Sequence, residues 1–264
     1  MKQRIITAVV AALVFIPFVI YGNLPFTLLV YVIAAVGLYE LLKMRNISIF
    51  SIPGIIGALI MFCILLPIST AELEEILPYS KLEFLMIGVI LLLIYTVMIK
   101  NRFTFDDVGF ILTSALYVGI GFYYFIETRN AEDGLVFIIF ALLIVWTTDS
   151  GAYFIGRKLG KKKLWPEISP NKTVEGFIGG IVTAVIFACI MQWIYPISSS
   201  WILLIVISII ASIFGQLGDL VESAIKRHYG VKDSGKLLPG HGGILDRFDS
   251  LLFVLPLLHF IHFV

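Results

Sequence analysis

The sequence predicts an all-α, polytopic membrane protein with about nine transmembrane helices. Three observations support this fold class: 59% of the 264 residues are hydrophobic, only 14% are charged, and the apolar residues form long runs. A soluble domain carries about 25% charged residues. The runs approach the roughly 20 residues that a helix needs to cross a bilayer, and no alternation of apolar and polar residues indicates a membrane β-barrel.

Nine apolar runs account for most of the chain. In order, they cover residues 5–21, 24–42, 51–69, 84–99, 108–126, 134–155, 174–195, 201–220 and 248–264. The first run lacks the small-residue cleavage site of a signal peptide and leads directly into the second, so we expect it to be retained. We expect residues 1–133 to form a scaffold of about five helices. Residues 134–264 are then a group of about four helices that carries the site.

Basic residues predict the orientation, because Lys and Arg concentrate in the cytoplasmic loops of membrane proteins. With a cytoplasmic N-terminus and an outer C-terminus, all but two of the 19 basic residues, Lys81 and Arg129, fall on the cytoplasmic side. The net charge of +1 therefore conceals a strongly basic cytoplasmic face. Glu40 lies near an inner helix end, and we expect its side chain to reach the membrane interface. A nucleic-acid partner is not expected.

The first polar segment, residues 146–180, begins with Asp149 near the cytoplasmic end of the sixth run. A basic loop follows, in which Lys161, Lys162 and Lys163 fit a positive-inside role. Ser169, Asn171 or Thr173 can cap the next helix, with Glu175 in its first turn. Lys172 stands beside this helix N-terminus, where anions bind, and is a candidate ligand-binding residue. Gly176 and Gly180 predict close helix packing and permit a homodimer.

The second polar segment lies at the end of the eighth run. Asp219, Glu222, Ser223 and Lys226 are spaced at i, i+3, i+4 and i+7, so they share one helical face. An acidic residue at the membrane edge, as Asp219 is here, is a functional-site candidate. The alternative is an ion pair at the interface, either Asp219 with an arginine or Glu222 with Lys226.

The third polar segment, LPGHGGILDRFDS at residues 238–250, precedes the last apolar run. Its glycines let backbone amides approach a ligand closely, and His241 and Arg247 add donors. Asp246 and Asp249 are three residues apart. Carboxylates beside phosphate-binding groups suit a Mg²⁺ site, although either aspartate could instead cap the last helix.

The predicted topology brings Asp149, Asp219, Asp246 and Asp249 to the same cytoplasmic end, surrounded by basic residues. The sequence therefore predicts a metal and polyphosphate site at the inner membrane surface. Such a site is open to a nucleotide from water and to a lipid from the side.

Residues 223–249, SAIKRHYGVKDSGKLLPGHGGILDRFD, resemble the signature of the phosphatidate cytidylyltransferase (CDP-diacylglycerol synthase) family. That signature runs serine, a hydrophobic residue, Lys-Arg, Lys-Asp, a hydrophobic residue, His-Gly-Gly, and Asp-Arg-hydrophobic-Asp. The matching positions are Ser223, Lys226, Arg227, Lys232, Asp233, His241, Gly242, Gly243, Asp246, Arg247 and Asp249. The segments DSGAY at 149–153 and SPNKTVEG at 169–176 also resemble family segments.

The resemblance implies a Mg²⁺-dependent enzyme that converts CTP and phosphatidate, a membrane lipid, into CDP-diacylglycerol and pyrophosphate. It implies a bacterial plasma-membrane protein whose site faces the cytoplasm. Catalytic roles fall to Asp219, Asp246, Lys226, Arg227, His241 and Arg247. Substrate-binding roles fall to Asn171, Lys172, Ser223, Lys232, Asp233, Gly242 and Gly243. The metal ligands are Asp219 and Asp246, with Asp249 and Asp149 in support, and either one or two metal ions fit this set.

Two other functions stay open at this point. A CTP-dependent lipid kinase of the dolichol- or phytol-kinase kind would use a similar site but transfer the γ-phosphoryl group. An ion-coupled transporter would also need membrane carboxylates, but the charged residues cluster at one face rather than at mid-membrane.

Overall fold

The computed structural model describes residues 2–67 and 79–264. In these residues the chain forms ten helices and one β-hairpin. The elements, in order, are α1 (Lys2–Tyr21), α2 (Asn23–Met44), α3 (Ile52–Leu65), α4 (Lys81–Met98), α5 (Phe105–Asn130), α6 (Gly134–Leu159), β1 (Lys163–Trp165), β2 (Ser169–Thr173), α7 (Val174–Ile194), α8 (Trp201–His228), α9 (Leu245–Phe248) and α10 (Leu251–Phe260).

The prediction of a helical, polytopic membrane protein is confirmed. Six helices, α2 and α4 to α8, are long and apolar enough to cross a bilayer. The apolar parts of α1, α3 and α10 are shorter, at 10–17 residues each. Every predicted apolar run contains a helix, although the end of the third run, residues 68 and 69, lies outside the described residues. The count of nine crossings and the orientation stay predictions.

Polar caps explain where several helices begin. The side chains of Ser51, Ser80, Thr104 and Ser200 each accept a hydrogen bond from a backbone N–H in the first turn of the following helix. Thr173 does the same for α7, where its hydroxyl accepts from the Gly176 N–H at 3.1 Å, and Glu175 lies in the first turn. Thr173 is therefore the cap among the three candidates, and the predicted start of α7 is confirmed.

A short β-hairpin replaces part of the predicted basic loop. β1 and β2 pair antiparallel, with Lys163 opposite Thr173 and Trp165 opposite Ser169. The carboxylate of Glu175 accepts hydrogen bonds from the backbone N–H groups of Lys161 and Lys162, so the chain entering β1 is tied to the first turn of α7. The hairpin thus has a fixed position beside the helix N-terminus.

Small residues allow α6 and α7 to pack closely. A β-carbon at Gly180 would lie 2.8 Å from the carbonyl oxygen of Thr148, and one at Gly176 would lie 2.8 Å from that of Ala152. The predicted packing role of this glycine pair is confirmed. Its partner is α6 of the same chain, so the pair no longer supports a homodimer.

Two features of the packing position the polar segments. α10 contacts α5 as well as α6 and α8, and so joins the two halves of the chain. α8 has 28 residues, or roughly 42 Å at about 1.5 Å per residue, which exceeds the roughly 30 Å of a hydrocarbon core. It continues eight residues beyond the predicted run, to His228, and its polar face, apart from Asp219, lies in this last part.

Candidate active site

The last turns of α8 carry the central charged residues. Asp219 and Ser223 are linked by a hydrogen bond of 3.3 Å from the serine hydroxyl, and Lys226 donates to Glu222 at 2.6 Å. Both pairs are spaced i, i+4, so the structure confirms the shared face and the predicted Glu222–Lys226 ion pair. Glu222 and Lys226 are, however, almost completely buried, with 0% and 8% exposed, rather than at the interface.

Lys226 bridges two carboxylates. Its Nζ lies 2.6 Å from Glu222 Oε2 and 2.5 Å from Asp246 Oδ1. A buried ammonium is tolerated only when its charge and its hydrogens are matched, and these two partners match it. The family resemblance implied a catalytic role for Lys226, and in the structure its Nζ connects α8 to Asp246 of α9.

Asp246 is held by the loop that precedes it. Its Oδ2 accepts hydrogen bonds from the backbone N–H of Ser234, the Ser234 hydroxyl and the backbone N–H of Gly243, each at 2.8 Å. Burial alone would raise the pKa of this carboxyl, but Lys226 and these donors outweigh it and hold the pKa below its usual value. Asp246 is therefore an ionised carboxylate with a fixed orientation.

The rest of the HGG segment shapes this loop. Gly242 has a φ of +86°, and a β-carbon there would collide with the Asp246 carboxylate, so only glycine fits. The carbonyl of His241 accepts from the Arg247 guanidinium at 2.8 and 3.1 Å. Phe248 packs against the rings of Phe15, Phe122 and Phe125, which anchors the end of the segment in the apolar core.

A cleft of about 580 Å³ lies between α6, the hairpin, α7 and α8. It brings together four predicted residues: Asp149, Asn171, Lys172 and Asp219. Across it, Lys172 Nζ lies 2.7 Å from Asp219 Oδ2, with both side chains about one-third exposed. Three further cations line the cleft, Arg157, Lys161 and Lys163. Two of these, Lys161 and Lys163, belong to the lysine run to which the sequence analysis gave only a topological role.

Several carboxylates lie where the cleft approaches the loop that precedes Asp246, and not all of them have a lysine partner. The charge of Asp149 interacts with those of Asp219 and Asp249, and Asp249 in turn interacts with Glu222. Asp249 Oδ1 accepts only the Ser250 N–H among the hydrogen bonds of the described residues. Glu222 Oε1 is buried without a hydrogen-bond partner in residues 2–67 and 79–264. An unpartnered carboxylate oxygen near other carboxylates is a hard oxygen ligand of the kind that Mg²⁺ prefers.

The structure does not bring every predicted ligand to one point. Across the described part of the chain, no three acidic, histidine or cysteine side chains converge at metal-ligand distances. Asp219 is paired with Lys172, and Asp246 is paired with Lys226, so two of the four predicted ligands are neutralised by lysines. The metal assignments stay predictions.

Four of the remaining predicted residues lie on the outer surface of the site. Arg227, Lys232, Asp233 and Arg247 are exposed. The Arg227 guanidinium donates to the carbonyl of Val231 at 3.0 Å, just beyond the end of α8. His241 Nδ1 is buried and has no hydrogen-bond partner in the described ranges.

Two residues of this centre, Glu40 and Ser234, were not among the predicted site residues. Glu40 is 2% exposed, and its carboxylate contacts the loop that holds Asp246, so the prediction that it reaches the interface was wrong. Ser234 connects Glu40 to Asp246. The available signal was an acidic residue inside the second apolar run, which marks a functional candidate by itself.

Comparisons with known proteins agree with the motif. The model of the family described as "Cytidylyltransferase family" matches residues 2–264. A phosphatidate cytidylyltransferase of Bacillus subtilis is 57% identical over 262 residues, covering 99% of this chain and 97% of that protein. Proteins of the same name from Staphylococcus epidermidis and Staphylococcus aureus are 52% and 49% identical, covering 98% of each chain. The chain therefore belongs to the cytidylyltransferase family.

Proposed function

We propose that the chain transfers the cytidylyl group of CTP to phosphatidate, which gives CDP-diacylglycerol and pyrophosphate. The observation that carries this proposal is the full-length similarity, at 57% and 52% identity, to proteins named phosphatidate cytidylyltransferase. The clustering of carboxylates and cations at one end of α8 supports the same chemistry.

The reaction joins two anions. A phosphate oxygen of phosphatidate forms a bond to the α-phosphorus of CTP, and the bond from that phosphorus to the β-phosphate oxygen breaks, releasing pyrophosphate. A phosphate monoester is already ionised near neutral pH, so a strong general base is not needed. The protein must instead neutralise charge and align the reactants in line.

The described residues can provide this alignment. Lys172 lies in β2, just before the N-terminus of α7, and can bind a phosphate. Arg157, Lys161 and Lys163 line the same cleft. Lys226 holds Asp246 in place, while the exposed Arg227, Lys232 and Arg247 lie where a triphosphate can approach from water.

We also propose that Mg²⁺ is required. Asp219 and Asp246 would hold it, with Asp249 and Asp149 in support and the unpartnered oxygen of Glu222 close to the same cluster. When bound, the ion neutralises triphosphate charge and assists departure of pyrophosphate.

The proposed location is a bacterial plasma membrane, with nine crossings and the site at the cytoplasmic surface. The concentration of basic residues on that side and the bacterial relatives support this arrangement. A homodimer, which the sequence permits, stays a prediction.

The test is turnover of purified protein with CTP labelled at the α-phosphate, phosphatidate and Mg²⁺, with extraction of the lipid phase. We expect label in the lipid, lost with EDTA and with Asp246→Ala. Label that appears in lipid only from γ-labelled CTP would instead identify a lipid kinase. Metal-dependent ion flux into liposomes without CTP would favour a transporter.

A further inference from the structure

Glu40 is a buried acidic residue in the half of the chain that the signature does not cover. It lies in α2, and its carboxylate accepts hydrogen bonds from the backbone N–H groups of Ile244 at 2.9 Å and Leu245 at 3.0 Å. The Ser234 hydroxyl lies 3.1 Å from Oε2, the oxygen that also accepts from Leu245. All three groups belong to residues 234–245, which we call the signature loop, about 200 positions away in sequence.

The carboxylate has no salt bridge among the described residues. A buried carboxylate without a cation depends on its hydrogen bonds, because desolvation strongly disfavours an unsatisfied charge. The two amide donors and the Ser234 contact are lost to Glu40 if the signature loop moves. The conformation of the loop and the burial of Glu40 are therefore mutually dependent.

Glu40 also limits which residues the signature loop can contain. A β-carbon at Gly235 or at Gly243 would collide with the Glu40 carboxylate. Gly243 is part of the HGG segment, and its amide donates to Asp246. Contacts with Ser234 Oγ and with the Glu40 carboxylate together explain this glycine, because both lie where its β-carbon would be.

Ser234 connects Glu40 to the charged centre. Its hydroxyl lies within hydrogen-bonding distance of Glu40 Oε2, at 3.1 Å, and of Asp246 Oδ2, at 2.8 Å. Asp246 then contacts Lys226 on α8. One continuous chain of polar contacts thus runs from α2 in the scaffold to the polar face of α8.

We propose that Glu40 is a positioning residue for the reaction, which sets the signature loop so that Asp246 and Lys226 meet in the arrangement observed. It does not touch the reacting atoms. This inference rests on the proposed function, because turnover is one of its two readouts.

The first readout is kinetic. Glu40→Gln keeps the size of the side chain but places an amide NH₂ toward at least one N–H donor. Misplacement of a catalytic group by about 1 Å costs on the order of 100-fold in rate, so we expect a fall in kcat between about tenfold and 100-fold. The matched control is Glu127→Gln, a partly buried glutamate of the scaffold away from the loop, which should keep wild-type kcat.

The second readout is independent of activity. The signature loop and the residues just before it contain two exposed trypsin sites, Lys232 and Lys236. Glu40→Gln should speed cleavage at these lysines while exposed sites such as Lys158 are cut at the wild-type rate, because only the loop is released. General destabilisation would speed cleavage at all sites and would overturn the positioning role.

Ser234→Ala provides a second variant that leaves Glu40 bonded to the two amides. It should lower kcat, and its effect should not add to that of Glu40→Gln, because both break the same connection. Wild-type kcat in both variants, with no change in loop cleavage, would refute the inference. If the wild-type protein itself gives no labelled CDP-lipid, the proposed function fails, and loop cleavage still tests whether Glu40 holds the loop.

Discussion

Lys226 is the residue on which the charged centre depends most. It is nearly buried and neutralises Glu222 and Asp246 at the same time. Removing one member of a buried ion pair leaves uncompensated charge, whereas removing both charges costs far less. This asymmetry predicts how variants of the centre behave.

Lys226→Met should destabilise the protein by about 3–5 kcal/mol, because it leaves two carboxylates facing each other in a buried site. Thermal unfolding in detergent measures the effect as a lower midpoint. The double variant Lys226→Met with Glu222→Gln should recover part of the loss. Equal midpoints for the single and double variants would show that charge imbalance is not the cause.

Asp219→Ala should insert and fold normally but lose about 100-fold or more in turnover, the usual loss when a group that stabilises charge in the transition state is removed. Asp219 is partly exposed in the cleft, and its only ion pair in the described residues is with Lys172, so little packing is lost. Asp106→Ala is the control, since Asp106 is an exposed aspartate at the start of α5. Wild-type turnover in Asp219→Ala would exclude the assigned role.

At the scale of elements, the contact between α6 and α7 fixes one wall of the cleft. Asp149 lies on α6, and Lys172 precedes α7, so their separation depends on how closely the two helices approach. The glycines of α7 set that distance.

Gly180→Ala should push the helices apart, because its β-carbon would lie 2.8 Å from the Thr148 carbonyl oxygen. Overpacking of this kind costs about 1–3 kcal/mol, and we expect a lower unfolding midpoint together with reduced turnover. Gly109→Ala is the matched control, because nothing lies within 4 Å of its β-carbon and alanine favours a helix. Equal midpoints for the two variants would contradict the packing argument.

The helices were predictable because each apolar run carries its own signal, and Thr173 with Glu175 marks the start of α7. The hairpin was not predictable in the same way. Its strands have three and five residues, and Lys163 and Lys172 give them no apolar alternation, so the segment resembles a basic loop. Its position depends on the hydrogen bonds between Glu175 of α7 and the chain that enters β1, and a contact between two elements leaves no local pattern in the sequence.

At the scale of the whole molecule, the predicted orientation places residues 156–173 in the cytoplasm and residues 195–200 outside. This can be tested with single cysteines, Lys158→Cys and Ser199→Cys, in a background with Cys63→Ser and Cys189→Ser. An impermeant thiol reagent added to intact cells should label the second variant and not the first, and inside-out vesicles should reverse the result. Labelling of both from one side would contradict the orientation.

The site itself was predictable only in part. The signature and the spacing from Asp219 to Lys226 located the charged centre, because those residues are close in sequence. Glu40 and Ser234 are 194 residues apart, and no local pattern relates them. Their contact exists only because the fold brings α2 against the signature loop.

The Lys172–Asp219 ion pair has a thermodynamic consequence for ligands. An anion that binds Lys172 releases the Asp219 carboxylate, and a cation that binds Asp219 releases the Lys172 ammonium. The two binding events therefore favour each other, and linkage requires that each ligand increase the affinity of the other by the same factor. A nucleotide and its counter-ion would then bind in the cleft cooperatively. Either one alone would have to compete with the Lys172–Asp219 ion pair.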